Sequence, residues 1–278
     1  MVGPRDTYTH GHHESVLRSH TQRTAENSAG YLLPRLTAGM TLVDIGCGPG
    51  TITVDLAERV APGAVVGLDL EPAVLEAAGT RAADRSLTNV EFRVGDIYAL
   101  DLEDDSVDVA HAHQVLQHLS DPVAALREMA RVVRPGGLVA VRDADYAAMA
   151  WAPADPRLDR WLEIYRSVCH GNDADPDAGR HLLSWASEAG LDDIEPSASV
   201  WCFATPDTRR WWGSLWADRS RASAFAAQAL ERGLTMPDEL EQIAAGWHRW
   251  AEDSTSWFTV VSGELLCTVG RPLQVAVR

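Results

Sequence analysis

Basic side chains are scarce in this chain. Across 278 residues, 24 basic residues face 40 aspartates and glutamates, a formal charge of -16. Nucleic acid wants a broad basic face, and anionic lipid repels an acidic protein, so neither is expected as a partner. No apolar run reaches the ~18 residues of a membrane-spanning helix. The polar, histidine-rich stretch from Met1 to His20 lacks the apolar centre of a signal peptide, so a cytoplasmic protein is expected. Cysteine is sparse: Cys47, Cys169, Cys202 and Cys267 lie far apart, without metal-ligand spacing, and read as separate reduced thiols. Tryptophan is missing from the first 150 residues, and all ten lie at or beyond Trp151.

What is present is organised around Asp44-Ile45-Gly46-Cys47-Gly48-Pro49-Gly50. A short apolar run precedes it and a helical pattern starts near Thr51. That is a buried strand, a glycine turn and a helix start, the place where open α/β sheets bind ligands. Cys47 has no clear base beside it and reads as a small residue chosen for fit. From 41 to 142 the pattern alternates. Strands are expected at 41–45, 64–70, 89–94, 107–112 and 138–142, with helices at 51–60, 72–85 and 122–133. Strands and helices of this length imply a parallel sheet of right-handed crossovers.

The remainder is less regular. A helix is expected from Glu14 to Arg35, ahead of the first strand. After Trp151 a helical stretch is expected to Leu191, then a strand over 194–204. Two helices within 207–251, split near Gly233, and a last strand over 257–269 complete the pattern.

Acids stand at the ends of three consecutive strands: Asp44, Asp69 and Asp96. Asp69 lies about 20 residues past the glycine turn, the position that accepts ribose hydroxyls in dinucleotide folds. Asp96 is placed to accept an exocyclic amine such as adenine's. The dinucleotide fingerprint ends in a third glycine before a pyrophosphate, but Thr51 occupies that place, and no lysine follows as a nucleoside-triphosphate loop requires. An adenosine ligand without phosphates fits better.

These residues resemble the class I S-adenosylmethionine (SAM)-dependent methyltransferases. The 44–50 turn is similar to their first motif, and Gly95-Asp96-Ile97 to the adenine motif of the third strand. Val107-Asp108-Val109-Ala110 with Leu116 to Asp121 resembles the fourth. Arg131-Val132-Val133-Arg134-Pro135-Gly136-Gly137 resembles the turn into strand five. The flavour is that of the ubiquinone/menaquinone-biosynthesis type. The resemblance implies a Rossmann-like, doubly wound α/β fold with a mostly parallel seven-stranded sheet. Residues 1-40 would be an arm and helix over the cofactor, 41-150 the SAM-binding core, and 151-278 helical cap insertions interleaved with the last two strands.

The resemblance also implies roles. Gly46, Cys47 and Gly48 would lie against the methionine part of SAM, and Asp44 would touch its amine or order the turn. Asp69 would take the ribose, with Leu70 packing on adenine. Gly95 closes the third strand, Asp96 would take the adenine amine, and Ile97 would cover the ring. His113 would lie near the methionyl end, as a lining residue or general base, and Gln114 would face the transferred methyl. Asp143 to Tyr146 are expected to follow strand five at the crevice end, where Asp145 and Tyr146 would orient substrate and Tyr146 would share the catalytic role. Tyr8 and Trp151 are further substrate candidates. His111, His113 and His118 offer no evident third ligand, so no metal is expected.

The expected activity is methyl transfer from SAM to a small, aromatic or ring-containing acceptor through N, O or C, releasing S-adenosylhomocysteine. A monomer or homodimer is expected. The alternatives are a non-methylating SAM-binding protein and a nicotinamide-dependent oxidoreductase.

Overall fold

A computed structural model of the chain describes Asp6, Thr9 and residues 22–270. The sheet has seven strands in the order β3-β2-β1-β4-β5-β7-β6. These are β1 (Leu42–Ile45), β2 (Val65–Asp69), β3 (Val90–Val94), β4 (Val107–His113), β5 (Val133–Ala152), β6 (Ile194–Phe203) and β7 (Trp257–Thr268). The first five run parallel, and β7 is antiparallel to both β5 and β6. All of β1 is buried, as a central parallel strand covered on both faces must be.

The helices are α1 (Ala25–Ser28), α2 (Thr51–Val60), α3 (Pro72–Asp84), α4 (Pro122–Val132), α5 (Pro156–His170), α6 (Leu182–Ala189), α7 (Pro206–Ala222), α8 (Ala224–Glu231) and α9 (Pro237–Glu252). Proline opens α3, α4, α5, α7 and α9. It presets the helical φ where its missing N–H costs nothing. Side-chain caps reinforce several starts: Asp121 accepts from Ala124 N, Asp155 from Arg157 N, and Thr205 forms a capping box with Thr208.

Three cores result. On one sheet face, Val43, Ile45, Ala110, Ala112, Val139 and Val141 pack with Leu126, Met129 and Leu182 of α4 and α6. On the other, Leu42, Val109, Ala140 and Leu266 pack with Leu32, Leu56 and Val60. The third core is aromatic. Trp161 is its hub, with Trp216 at 4.4 Å and Trp247 at 4.9 Å, both edge to face. Tyr165, Phe225, Trp212 and Phe258 complete it.

The structure corrects four expectations. Among the described residues before β1, the helix expected to reach Arg35 is reduced to α1 and a 3-10 turn at Leu33–Arg35, where Pro34 sits. Strand five does not stop at Arg142: it runs 20 residues, because β7 keeps pairing with it out to Ala152↔Trp257, across a bulge between Asp145 and Ala150. The stretch from Trp151 to Leu191 is therefore strand end plus two helices. Beyond β6 there are three helices rather than two. Ser223 adopts an extended φ of -93° and ψ of 169°, its hydroxyl donates to Arg219 O, and α7 breaks into α8 there.

Candidate functional site

The glycine turn and the strand-two acid form one unit. Asp69 Oδ2 accepts from Gly48 N at 2.9 Å and Oδ1 from Glu71 N at 3.0 Å. Gly46 takes φ +68°, and a Cβ there would meet Val115 Cγ2 at 2.4 Å. The backbone therefore passes against the strand-four turn with no room for a side chain. Leu70 is 54% exposed at the rim, while Ile97 is buried against Leu68. Asp96 Oδ1 accepts from Tyr98 N, which orients its carboxylate just past Gly95 at the end of β3. Cys47 is buried, and its thiol is pushed far up by burial, with Asp44 and Asp69 adding to the effect. It is a neutral filler beside Gly67, not a nucleophile.

Asp44 faces inward. Its Oδ2 accepts from Thr53 Oγ1 at 2.5 Å, and its Oδ1 lies 2.7 Å from His111 Nδ1. Both oxygens are used to lock β1, α2 and β4 together, so Asp44 orders the turn.

Strand alternation puts His111 and His113 on one face. His113 pairs in register with Arg142, Arg142 with Glu264, and Glu264 with Ser197. A polar row thus crosses the sheet, close to Asn27 and Tyr31. The His113 ring lies 5.8 Å from Trp201, and the Arg142 guanidinium 4.6 Å from the same indole. Gln114, at φ +55°, accepts from Arg23 and donates its N–H to Arg142 O. His113 and Gln114 sit at the carboxyl end of β4, beside the glycine turn, and Arg142 is paired with His113 midway along β5.

The opposite face of β5, one residue on from Arg142, carries Asp143. Its Oδ1 accepts from Gln117 N, and burial pushes its carboxyl up to about 7. Gln117 Oε1 accepts from Ala144 N. His118 is held down to about 3 by burial, with the Arg23 charge helping. His118 is thus a neutral core residue at physiological pH.

The remaining candidates are placed elsewhere. Asp145 is not free to orient a ligand: Arg180 grips both its oxygens at 2.7 Å, and Oδ1 also accepts from Ala148 N within the β5 bulge. Tyr146 is stacked on Tyr165 at 4.3 Å and Trp151 on Phe258 at 5.7 Å, both in the aromatic core. The continuation of β5 carries them there, away from the turn. Tyr8 lies outside the described residues. Arg142, Glu264 and Tyr31 were not singled out from the sequence. The available signal was a charge that closes the apolar run Leu138 to Val141, Arg142, and the single charge of an otherwise uncharged strand, Glu264.

The cradle fits SAM. Glycines leave space at the turn, and one acid stands at the end of β2 and another just past β3. The comparisons agree. A methyltransferase-domain family model matches residues 36–190. An uncharacterised methyltransferase of Schizosaccharomyces pombe is 34% identical over 96% of this chain and 98% of its own. A demethylmenaquinone methyltransferase of Lactococcus lactis is 35% identical over 46% of this chain and 48% of its own. In fold, the chain is similar to a phosphoethanolamine N-methyltransferase of Haemonchus contortus, solved with phosphomonomethylethanolamine and S-adenosylhomocysteine. The TM-score there is 0.54 at 18% identity, over 87% of this chain and 52% of the other. The chain belongs to the class I SAM-dependent methyltransferases and resembles the ubiquinone/menaquinone type. It is an enzyme whose cofactor is SAM. Among the described residues, no helix is long and apolar enough to cross a membrane.

Proposed function

We propose that the acceptor is a small ring-containing molecule bound beside His113, Gln114 and Trp201, and that the glycine-turn side holds the cofactor. The observation that carries this reading is the shared edge: Gly48, which donates to Asp69, follows β1, and His113, beside Trp201, ends the neighbouring strand β4. Gly46, Cys47 and Gly48 would lie against the methionyl part, with Asp69 on the ribose and Asp96 on the adenine amine. Leu70 and Ile97 would flank the ring.

SAM supplies an activated methyl on a sulfonium, so the protein's work is alignment and exclusion of water. Gln114 is held by Arg23 and by its own strained turn, which fixes what it presents. Trp201 is anchored through its Nε1 to Asn27 O at 2.7 Å, giving a rigid aromatic wall. His113 is the residue proposed to take a proton where the acceptor must lose one. The buried helices α5, α7, α8 and α9 would cap the acceptor side, acting through the rigidity of their aromatic core rather than by direct contact.

Incubation of the protein with methyl-labelled SAM and a panel of aromatic acids, phenols and amines tests the reading. Labelled product with stoichiometric S-adenosylhomocysteine supports it. His113→Gln should then lower kcat at least tenfold with KM for SAM little changed. Turnover confined to acyclic acceptors would rule the ring-containing class out.

A further inference from the structure

We propose that Arg142 reads a carboxylate on the acceptor, so that the substrate is a ring-bearing carboxylic acid. This rests on the methyltransferase reading with its acceptor beside His113, and narrows it.

Arg142 is fully buried, yet only part of its guanidinium is used. Nε donates to Ser199 Oγ at 3.1 Å and to Glu264 Oε1 at 3.2 Å. Glu264 turns its other oxygen to Ser197, at 2.9 Å. The ion pair is therefore one-pronged. Nη1 and Nη2 carry four N–H donors, and among the described residues neither atom has a hydrogen-bond partner. A buried pair retained only for the fold would be two-pronged, because dry guanidinium donors are costly to leave unmade. Here the glutamate fixes the base of the fork and leaves its tips.

The fork is also immobilised. Trp201 covers one face at 4.6 Å, and the indole is tied to Asn27. The two Nη atoms present the paired donor geometry that suits a planar carboxylate. A neutral carbonyl or an amine would leave donors unmet. The ring requirement comes from the walls, because the Trp201 and His113 rings lie side by side at 5.8 Å.

Charge balance permits a second anion. Glu264 neutralises Arg142, but Arg23 adds a positive charge at Gln114, and burial holds the Asp143 proton up to about pH 7. Tyr31 has a buried hydroxyl without a partner among the described residues. Its ionisation is pushed well up, by burial first and then by Glu264, with Arg142 acting in the opposite sense. It is therefore a neutral phenol within the electrostatic reach of Arg142, able to donate to the same oxyanion.

The test is a ligand-observed NMR titration of benzoate and benzamide into protein saturated with S-adenosylhomocysteine. Wild type should bind benzoate at least tenfold more tightly than benzamide. Arg142→Gln should erase that preference while changing S-adenosylhomocysteine affinity less than twofold, and Arg142→Lys should restore only part of it. Equal or undetectable binding of the two probes by wild type overturns the proposal, and that measurement needs no variant to fold. So does an Arg142→Gln protein that keeps the benzoate preference, or one that loses S-adenosylhomocysteine tenfold. Wild type that fails to bind S-adenosylhomocysteine would instead overturn the methyltransferase reading, and the carboxylate site with it.

Discussion

The two halves of this sheet are built by different means. Around β1, β2 and β3 the site is made of backbone. Gly46 passes against Val115, Gly48 donates to Asp69, and few side chains contribute. Around β5, β6 and β7 it is made of side chains: Arg142, Glu264, Ser199 and Trp201 on one sheet face, with an aromatic core behind them. The first half tolerates little variation because a conformation is being specified. The second is an array of packed side chains, and it is the half in which the proposed acceptor would be held.

The largest effect that would sharpen this contrast lies in the aromatic core. Trp161 is fully buried against Trp216, Trp247, Tyr165 and Phe258. Trp161→Ala should cost ~3–5 kcal/mol of unfolding free energy in urea. The protein that remains folded should still bind S-adenosylhomocysteine. If cofactor affinity falls in proportion to stability, the two halves are not separable.

Next comes Gly46→Ala. The new Cβ would lie 2.4 Å from Val115 Cγ2 on a backbone at φ +68°. Overpacking and strain together should cost ~2–3 kcal/mol, and cofactor binding should weaken as well. Val115→Ala in the same chain should recover the packing part but not the conformational part. Full recovery would show that the turn's φ is not what matters.

Asp143→Asn should do the reverse and stabilise. The buried carboxyl is raised from 3.8 to about 7, so the folded state holds a proton that the unfolded chain has already lost. Wild type is thus penalised progressively as pH rises from about 4 to about 7, and the penalty is complete above that. The ceiling is ~4 kcal/mol, and ~2 kcal/mol is expected at pH 8 by chemical denaturation. A difference between variant and wild type that is flat from pH 4 to 8 would show that the group is not titrating as described.

The smallest effect is at a helix start. Thr205→Ala removes the capping box of α7 and should cost ~1 kcal/mol. Cofactor binding should not change.

The same division explains what could be read from the sequence. The strand boundaries from β1 to β4 and the helices α2, α3 and α4 were legible, because glycine, proline and apolar runs punctuate them. The acids Asp44, Asp69 and Asp96 were legible as strand-end residues. That Asp44 turns inward was not, since its partner His111 is 67 residues away. Beyond Arg142 the local pattern misled. Asp143 to Tyr146 looks like a polar loop, but β7 arrives from more than a hundred residues downstream and keeps the strand going. Tyr146 and Trp151 then follow strand geometry into the core. The tryptophans announced a packed aromatic region without saying which of them would face the site. Trp201 is distinguished only by its register on β6, where it shares the face of Ser199 and approaches His113 and Arg142.

The central claim is that the cofactor belongs to the glycine-turn half and the acceptor to the other. Calorimetric titration of S-adenosylhomocysteine into wild type, Asp69→Ala and Trp201→Phe tests it most directly. The account predicts binding by wild type, at least a tenfold loss in Asp69→Ala, and less than a twofold change in Trp201→Phe. Unchanged affinity in Asp69→Ala, or a tenfold loss in Trp201→Phe, would contradict it.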